Sequence, residues 1–159
     1  MVGERSSGKT QLFITLNKGK KVKTAPSIRN NKTNYELNGK NYEMVDFIGD
    51  NISKEEILAS LDSVYCIVQV IDGTDQKSLS DAAMFLYRVL VSKAYQRYNS
   101  NYLIFLNKSD ETGYMGKAAA LKRLEDEIEH IKHSRINQGE ENENEEDYIK
   151  VKNKVMIVK

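Results

Sequence analysis

Near its amino end the chain reads Gly3-Glu-Arg-Ser-Ser-Gly8-Lys9-Thr10. Two glycines separated by four residues, the second followed by Lys-Thr, form the pattern of a phosphate-binding loop. Glycine reaches positive φ and lets the backbone approach a polyphosphate closely. The N–H groups along Gly3, Ser6, Ser7 and Gly8 would then form an anion nest at the positive end of the following helix. Lys9 would reach the β- and γ-phosphates as a point charge. The Thr10 hydroxyl would ligate Mg²⁺. The plainer reading is a Gly/Ser-rich loop before a helix. Against it, an apolar pattern of helical spacing follows at once in Leu12, Phe13 and Leu16, and further parts of such a site lie downstream.

About a hundred residues on comes Asn107-Lys108-Ser109-Asp110, directly after the apolar run Tyr102–Leu106. The Asp110 carboxylate can accept two hydrogen bonds from guanine N1–H and the N2 amino group. Adenine offers no such pair and would leave the carboxylate unpaired, at a cost of at least about 1–3 kcal/mol. The Asn107 amide would tie the base loop together or reach the base. The stem of Lys108 would lie across the purine face. Alone these four residues read equally as a polar turn; behind a buried strand and after a phosphate loop they select guanine. Between the two motifs sits Asp46-Phe47-Ile48-Gly49. The Asp46 carboxylate would hold Mg²⁺, through a water, and the Gly49 N–H would sense the γ-phosphate. Upstream, Thr24-Ala25-Pro26-Ser27-Ile28 supplies hydroxyls for a flexible loop that completes Mg²⁺ coordination. Ser27 is the first choice and Thr24 the second; a plain loop hydroxyl is the alternative for both.

These side chains need a scaffold that delivers them to one place. A chain of 159 residues suits a single domain, 1–159, with a sizeable core. Hydrophobic residues at 40% and charged residues at 30% are ordinary for a soluble globular protein. A net charge of +1 gives no electrostatic case for nucleic acid. One cysteine, Cys66, excludes an internal disulfide; it lies in an apolar run and reads as a small core residue. No run of about 18 or more apolar residues is present to span a membrane, and no signal peptide is visible. Only Met1 and Val2 precede the loop, where a buried strand is normal, and Val155–Val158 reads as a strand that stops at Lys159. The chain therefore reads as a fragment lacking a first strand.

The spacing predicts a helix from Lys9 to Leu16 with Gly19 as its stop. A basic loop spans Lys18–Lys23. Thr33–Leu37 and Tyr42–Phe47 flank Asn38-Gly39, a hairpin signal because both turn residues tolerate positive φ. A short helix, Lys54–Ala59, follows a Ser53 cap. Val64–Ile71 is apolar on both faces, as in a central parallel strand. Ser80–Arg97 reads as one helix with Ala82, Phe85, Leu86, Val89 and Leu90 on its core stripe. Tyr102–Leu106 is a second buried strand. Lys117–Arg135 is a charged helix with Leu121, Leu124 and Ile128 inward. The stretch 137–147, without apolar residues from Gln138 to Asp147, reads as an acidic mobile loop. Strands alternating with helices predict a doubly wound α/β domain: a mostly parallel sheet, helices on both faces, and the ligand beyond the carboxyl ends of the strands.

In this order the motifs resemble those of the Ras-like and Arf-like P-loop GTPase superfamily. A closer resemblance is to the beta-subunit family of the signal recognition particle receptor. It rests on Thr24-x-x-Ser27-Ile28, on Ala83-Met-Phe-Leu-Tyr-Arg-Val-Leu90, and on the long charged helix followed by a polar insertion. The resemblance implies GTP/GDP and Mg²⁺ as cofactors. It also implies a receptor alpha subunit clasped by its N-terminal domain through the switch loops. The setting would be co-translational targeting at the cytosolic face of the endoplasmic reticulum membrane, reached through an anchor absent from this chain. An Arf/Sar-like vesicle-trafficking GTPase is the alternative, and a scaffold with the nucleotide as a structural plug is a third. Asp50 stands at the water-positioning place where hydrolytic relatives carry Gln or His. A carboxylate there is repelled by the γ-phosphate and donates no hydrogen bond, so Ile48 and Asp50 imply very slow hydrolysis. The late Ser-Ala-Lys-type loop that backs the guanine in this family would lie beyond Lys159.

Overall fold

A computed structural model describes residues 1–20, 23–98, 100–137 and 155–158. The elements run α1 (Lys9–Lys18), β1 (Asn31–Leu37), β2 (Lys40–Asp46), α2 (Asn51–Ala59), β3 (Cys66–Asp72), α3 (Gln76–Leu90), α4 (Lys93–Tyr98), β4 (Asn101–Asn107), α5 (Gly116–Asn137) and β5 (Val155–Val158). A 3-10 turn, Leu61–Ser63, joins α2 to β3. The expected α/β alternation is present.

β3, β4 and β5 form a parallel sheet in that order, and β1 and β2 an antiparallel hairpin. Asn38 at φ 51° and Gly39 at φ 74° make its two-residue turn. Met1 and Val2 stitch the two sheets together. Val2 bridges Gln69 in parallel, donating to the Val68 carbonyl and accepting from the Val70 N–H, each at 2.8 Å. Met1 donates to the Val45 carbonyl and accepts from the Phe47 N–H. The carboxyl ends of β2 and β3 are thereby held beside the phosphate-loop motif.

The core lies on one face of β3 and β4. Their register pairs Ile67 with Tyr102, Gln69 with Ile104 and Ile71 with Leu106, so alternation puts all six on the same side. The α3 stripe Leu79, Ala82, Phe85, Leu86, Val89 and Leu90 covers them, with Leu124 and Ile128 of α5 and Ile57 of α2 behind. Fully burying such a side chain stabilises by about 1.5–3 kcal/mol. Val70, on the opposite face by alternation, and Phe13 of α1 are buried outside this cluster. Gln69 is tolerated inside because it is satisfied: its Oε1 accepts from the Tyr102 hydroxyl at 2.6 Å and its Nε2 donates to the Ala82 carbonyl at 3.2 Å.

Several local expectations change. The single helix Ser80–Arg97 is two, α3 and α4, and begins earlier, where the Asp75 carboxylate caps the Lys77 N–H at 2.9 Å. It breaks at Ser92, whose N–H reaches back only to the Val89 carbonyl, while the Gln96 side chain satisfies the Leu90 carbonyl. Ser53 lies inside the first turn of α2, which opens at Asn51, and is not its cap. Cys66 is exposed at the start of β3 and is not a core residue. Leu121 is 41% exposed; Ala120 takes its inward place, because Ala120, Leu124 and Ile128 are spaced four apart along one face. Lys18 closes α1 rather than opening a basic loop, and Lys21 and Val22 lie outside the described residues. Residues 138–147 of the expected acidic loop also lie outside them, while Asn137 ends α5. No helix of the described residues is long and apolar enough to cross a membrane.

Candidate nucleotide site

Residues 3–8 turn from Val2 into α1 with positive φ at Gly3 (143°), Ser6 (62°) and Gly8 (96°). Sequence propensity explains only the glycines. Ser6 holds the left-handed conformation because the loop is pinned at both ends, by the Val2 pairing and by the Leu12 N–H bonded to the Gly8 carbonyl. Ser7 is fully buried and its Oγ has no hydrogen-bond partner. Lys9 is only 6% exposed, and its ammonium donates to the Glu4 carbonyl at 2.8 Å. Burial pulls the Lys9 pKa below its ordinary value, against the opposing pull of Asp46 and Glu4. A buried cation beside such a loop has the chemistry of an anion site, with the charge already desolvated.

At the head of α1 three oxygens converge. Thr10 Oγ1 donates to Asp46 Oδ2 at 2.7 Å and lies 2.9 Å from Ser27 Oγ. Asp46 is fully buried, and its other oxygen, Oδ1, has no partner. A desolvated carboxylate oxygen left unpaired is costly unless it serves a ligand. The donor set of one carboxylate and two hydroxyls fits a hard cation such as Mg²⁺, which takes oxygen ligands and shares its shell with water and phosphate. No group of three or more His, Cys, Asp or Glu able to hold a metal occurs among the described residues. A dedicated all-carboxylate cage is thus not the pattern here. Of the two expected hydroxyls, both Ser27 and Thr24 line the cleft, and Ser27 is the one beside Thr10.

Asn31 is a residue that the motifs did not reveal. Its Nδ2 donates to Asp46 Oδ2 at 3.0 Å and to Ser27 Oγ at 3.4 Å. The signal was present: counting outward from the Asn38-Gly39 turn puts Asn31 opposite Asp46, which is the observed register. Asn30 contributes too, its Oδ1 accepting from the Ile48 N–H at 2.9 Å. The Gly49 backbone lies against the phosphate loop so closely that a Cβ there would stand 2.5 Å from the Arg5 nitrogen. Only glycine permits that approach. Asp50, next in sequence, is not among the residues lining the cleft.

At the far end, Asn107 Nδ2 donates to the Ser7 carbonyl at 2.8 Å and so fastens the base loop to the phosphate loop. Lys108 adopts φ 62°. Its ammonium pairs with Asp72 Oδ2 at 2.6 Å. Asp110 and Glu111 are exposed at the rim. Asp72 is a second residue the motifs did not reveal; it ends β3 directly opposite Asn107. Burial alone would raise its carboxyl pKa, but the hydrogen bonds from Lys108 and Thr74 outweigh that and hold it below the usual value. The cleft enclosed between the two ends measures about 450 Å³ and is lined by Lys9, Thr10, Ser27, Gly49, Phe105 and Asp110 among others, a size typical of small-molecule sites.

The family model of the signal recognition particle receptor beta subunit matches residues 1–156. The human receptor subunit beta is 32% identical over 142 residues, covering 85% of this chain and 52% of that protein. The chain thus spans about half the length of the curated relatives it matches. The structure of the mammalian SRP receptor aligns with TM-score 0.81 and 25% identity over 99% of this chain and 87% of its own. The SRb-GTP/SRX complex from Chaetomium thermophilum has TM-score 0.72 at 17% identity, covering 99% of this chain and 86% of its own, a likeness of fold. Bovine ADP-ribosylation factor-like protein 5A is 28% identical over 119 residues, 72% of this chain and 63% of that protein. With a small-GTPase fold and a match across nearly its whole length, this chain belongs to the signal recognition particle receptor beta subunit family.

Proposed function

We propose that the cleft binds GTP or GDP with Mg²⁺, and that the chain is the switch subunit of a signal recognition particle receptor. The observation that carries this reading is that Thr10 and Ser27, which line the cleft, meet at the buried Asp46 carboxylate, whose Oδ1 has no partner, while Asn107, Lys108 and Asp110 line the other end. Thr10, Ser27 and Asp46 would hold the cation, which offsets the negative charge of the phosphates. Lys9 and the nest would bind the β- and γ-phosphates, Gly49 would report the γ-phosphate, and Asp110 would read guanine. Ser27 and Gly49 would sit on the two switch segments, and Ile28, next to Ser27 in the chain, is 94% accessible. Their ordering by GTP would present the surface that docks the receptor alpha subunit during co-translational targeting at the endoplasmic reticulum. The SRb-GTP/SRX complex, of the same fold, supports the partnership. The Arf/Sar-like trafficking reading is secondary, since the receptor-family model covers 1–156.

The activity we assign is GTP hydrolysis, very slow because Asp50, although it does not line the cleft in this structure, follows Gly49 at the sequence position where a water-orienting donor would be needed. Calorimetry with GTP, GDP and ATP, with and without Mg²⁺, tests the binding; equal affinity for ATP and GTP would sink the guanine reading. Single-turnover hydrolysis, compared with Asp50→Gln and Asp50→His, tests the brake. Faster turnover in a variant is expected, and brisk wild-type turnover would remove Asp50 from that role.

A further inference from the structure

The turn after β3 is tied to the base loop by hydrogen bonds and an ion pair. The Asp72 carboxylate accepts from the Thr74 N–H at 3.0 Å, from the Thr74 hydroxyl at 2.7 Å and from the Lys108 ammonium at 2.6 Å. Its own N–H donates to Ser78 Oγ at 3.1 Å. The next residue, Gly73, donates to the Asn107 carbonyl at 3.1 Å and accepts from the Met115 N–H at 3.0 Å. Both members of the ion pair are largely covered, with side-chain accessibilities of 25% for Lys108 and 13% for Asp72. Asp75 and Glu111 are the other charges facing the ammonium. Lys108 itself sits at positive φ, a conformation that L-residues keep only where surroundings over-determine it.

A free lysine side chain samples many rotamers, and pinning its tip removes that freedom before a ligand arrives. Resting on the reading of this cleft as a guanine nucleotide site, we propose that Asp72 is a positioning residue. It anchors the Lys108 ammonium so that the lysine stem stands ready against the purine, and so sets how long a guanine nucleotide stays bound. Asp72 acts through Lys108 and touches no ligand itself. Thr74 orients the carboxylate, and Gly73 ties the same turn to the base loop.

The test is the dissociation rate of a fluorescent N-methylanthraniloyl GDP from the full chain, followed by stopped flow. Asp72→Asn is expected to speed dissociation about tenfold, the scale of losses when an orienting partner is removed. Association should change little. Asp72→Glu should recover part of the loss. The double variant Asp72→Asn/Lys108→Ala should dissociate no faster than Lys108→Ala alone, because Asp72 has no route to the base without the lysine. Multiplying effects in the double variant, or an unchanged rate in Asp72→Asn, would overturn the proposal. Circular dichroism melts accompany each variant. Should Asp72→Asn fail to fold, Thr74→Val removes one carboxylate hydrogen bond and should speed dissociation less, again only while Lys108 is present; an effect that persists with Lys108→Ala would overturn it. A wild-type protein that binds no guanine nucleotide would instead defeat the underlying site reading.

Discussion

The two ends of the cleft are built on opposite principles. At the phosphate end the working groups are buried before any ligand arrives: Lys9 rests on a carbonyl, Ser7 Oγ and Asp46 Oδ1 lack partners, and Asp46 is fully covered. At the base end Asp110, the carboxylate proposed to read the base, is exposed, while its neighbours are held, Asn107 on the Ser7 carbonyl and Lys108 on Asp72. Desolvation paid in advance at the phosphate end favours strong, non-selective anion binding. The base end holds one acceptor in solvent, where the cost of the wrong base arises only when that base closes over it. On the proposed reading, affinity and selectivity would therefore come from different halves of one cleft.

That division is broken most severely by Lys9→Ala or Thr10→Ala. Either should weaken Mg²⁺-dependent GTP binding by about a hundredfold or more, since charge-assisted contacts are worth roughly 1.5–3 kcal/mol each. Calorimetry reads the loss, and a melt should show the fold retained. Normal binding by both variants would remove the phosphate-loop assignment. Next comes Asp110→Asn, which should cost GTP on the order of ten- to a hundredfold while favouring xanthosine nucleotides, whose extra carbonyl suits an amide donor. Competition between the two nucleotides measures it, and a uniform loss for both would show that Asp110 does not read the base.

Asn31→Ala sharpens the comparison from the side of the metal. It removes a hydrogen bond to the Asp46 oxygen shared with Thr10, so Mg²⁺ dependence should shift about tenfold, with nucleotide affinity in excess Mg²⁺ nearly unchanged. A titration of Mg²⁺ at fixed GTP decides it.

The smallest effect concerns pH. Asp72 is held below its ordinary pKa, so its contribution is present above the unfolded value and lost only as pH falls through the folded one. Lys108 is raised, mainly by its hydrogen bond to Asp72, so its contribution is complete below the unfolded value and lost only as pH rises through the folded one. The pair should therefore stay intact between about pH 5 and 9. Lys9 behaves oppositely. Its folded pKa is lowered by burial, so the unfolded chain binds the proton more readily and stability rises with pH between the two values. The melting-temperature gap between wild type and Lys9→Ala should accordingly change as pH rises toward about 10, and the gap for Asp72→Asn should stay flat from about pH 5 to 9.

Much of this was legible in the linear chain because its determinants are local. The turn of the Gly3–Gly8 loop into a helix depends on two glycines that permit positive φ next to a helix start, although Ser6's positive φ does not. The Asn38-Gly39 turn needs no partner to form, and the core stripe from Ala82 to Leu90 follows from helical period alone. All of these appear as read. What the sequence misread or did not show depends on neighbours distant in the chain. Cys66 and Leu121 are apolar by type, but their exposure was set by where β3 starts and by which rotation of α5 meets α3. The break at Ser92 needed the Gln96 side chain to cap a carbonyl. Asn31 and Asp72 carry no motif; each matters only because strand register lays it opposite Asp46 or Asn107. Residue types and short spacings thus determined which chemistry this chain can do. Tertiary structure decided which second residues hold that chemistry in place, because a hydrogen bond between strands is fixed by their pairing and not by their sequence.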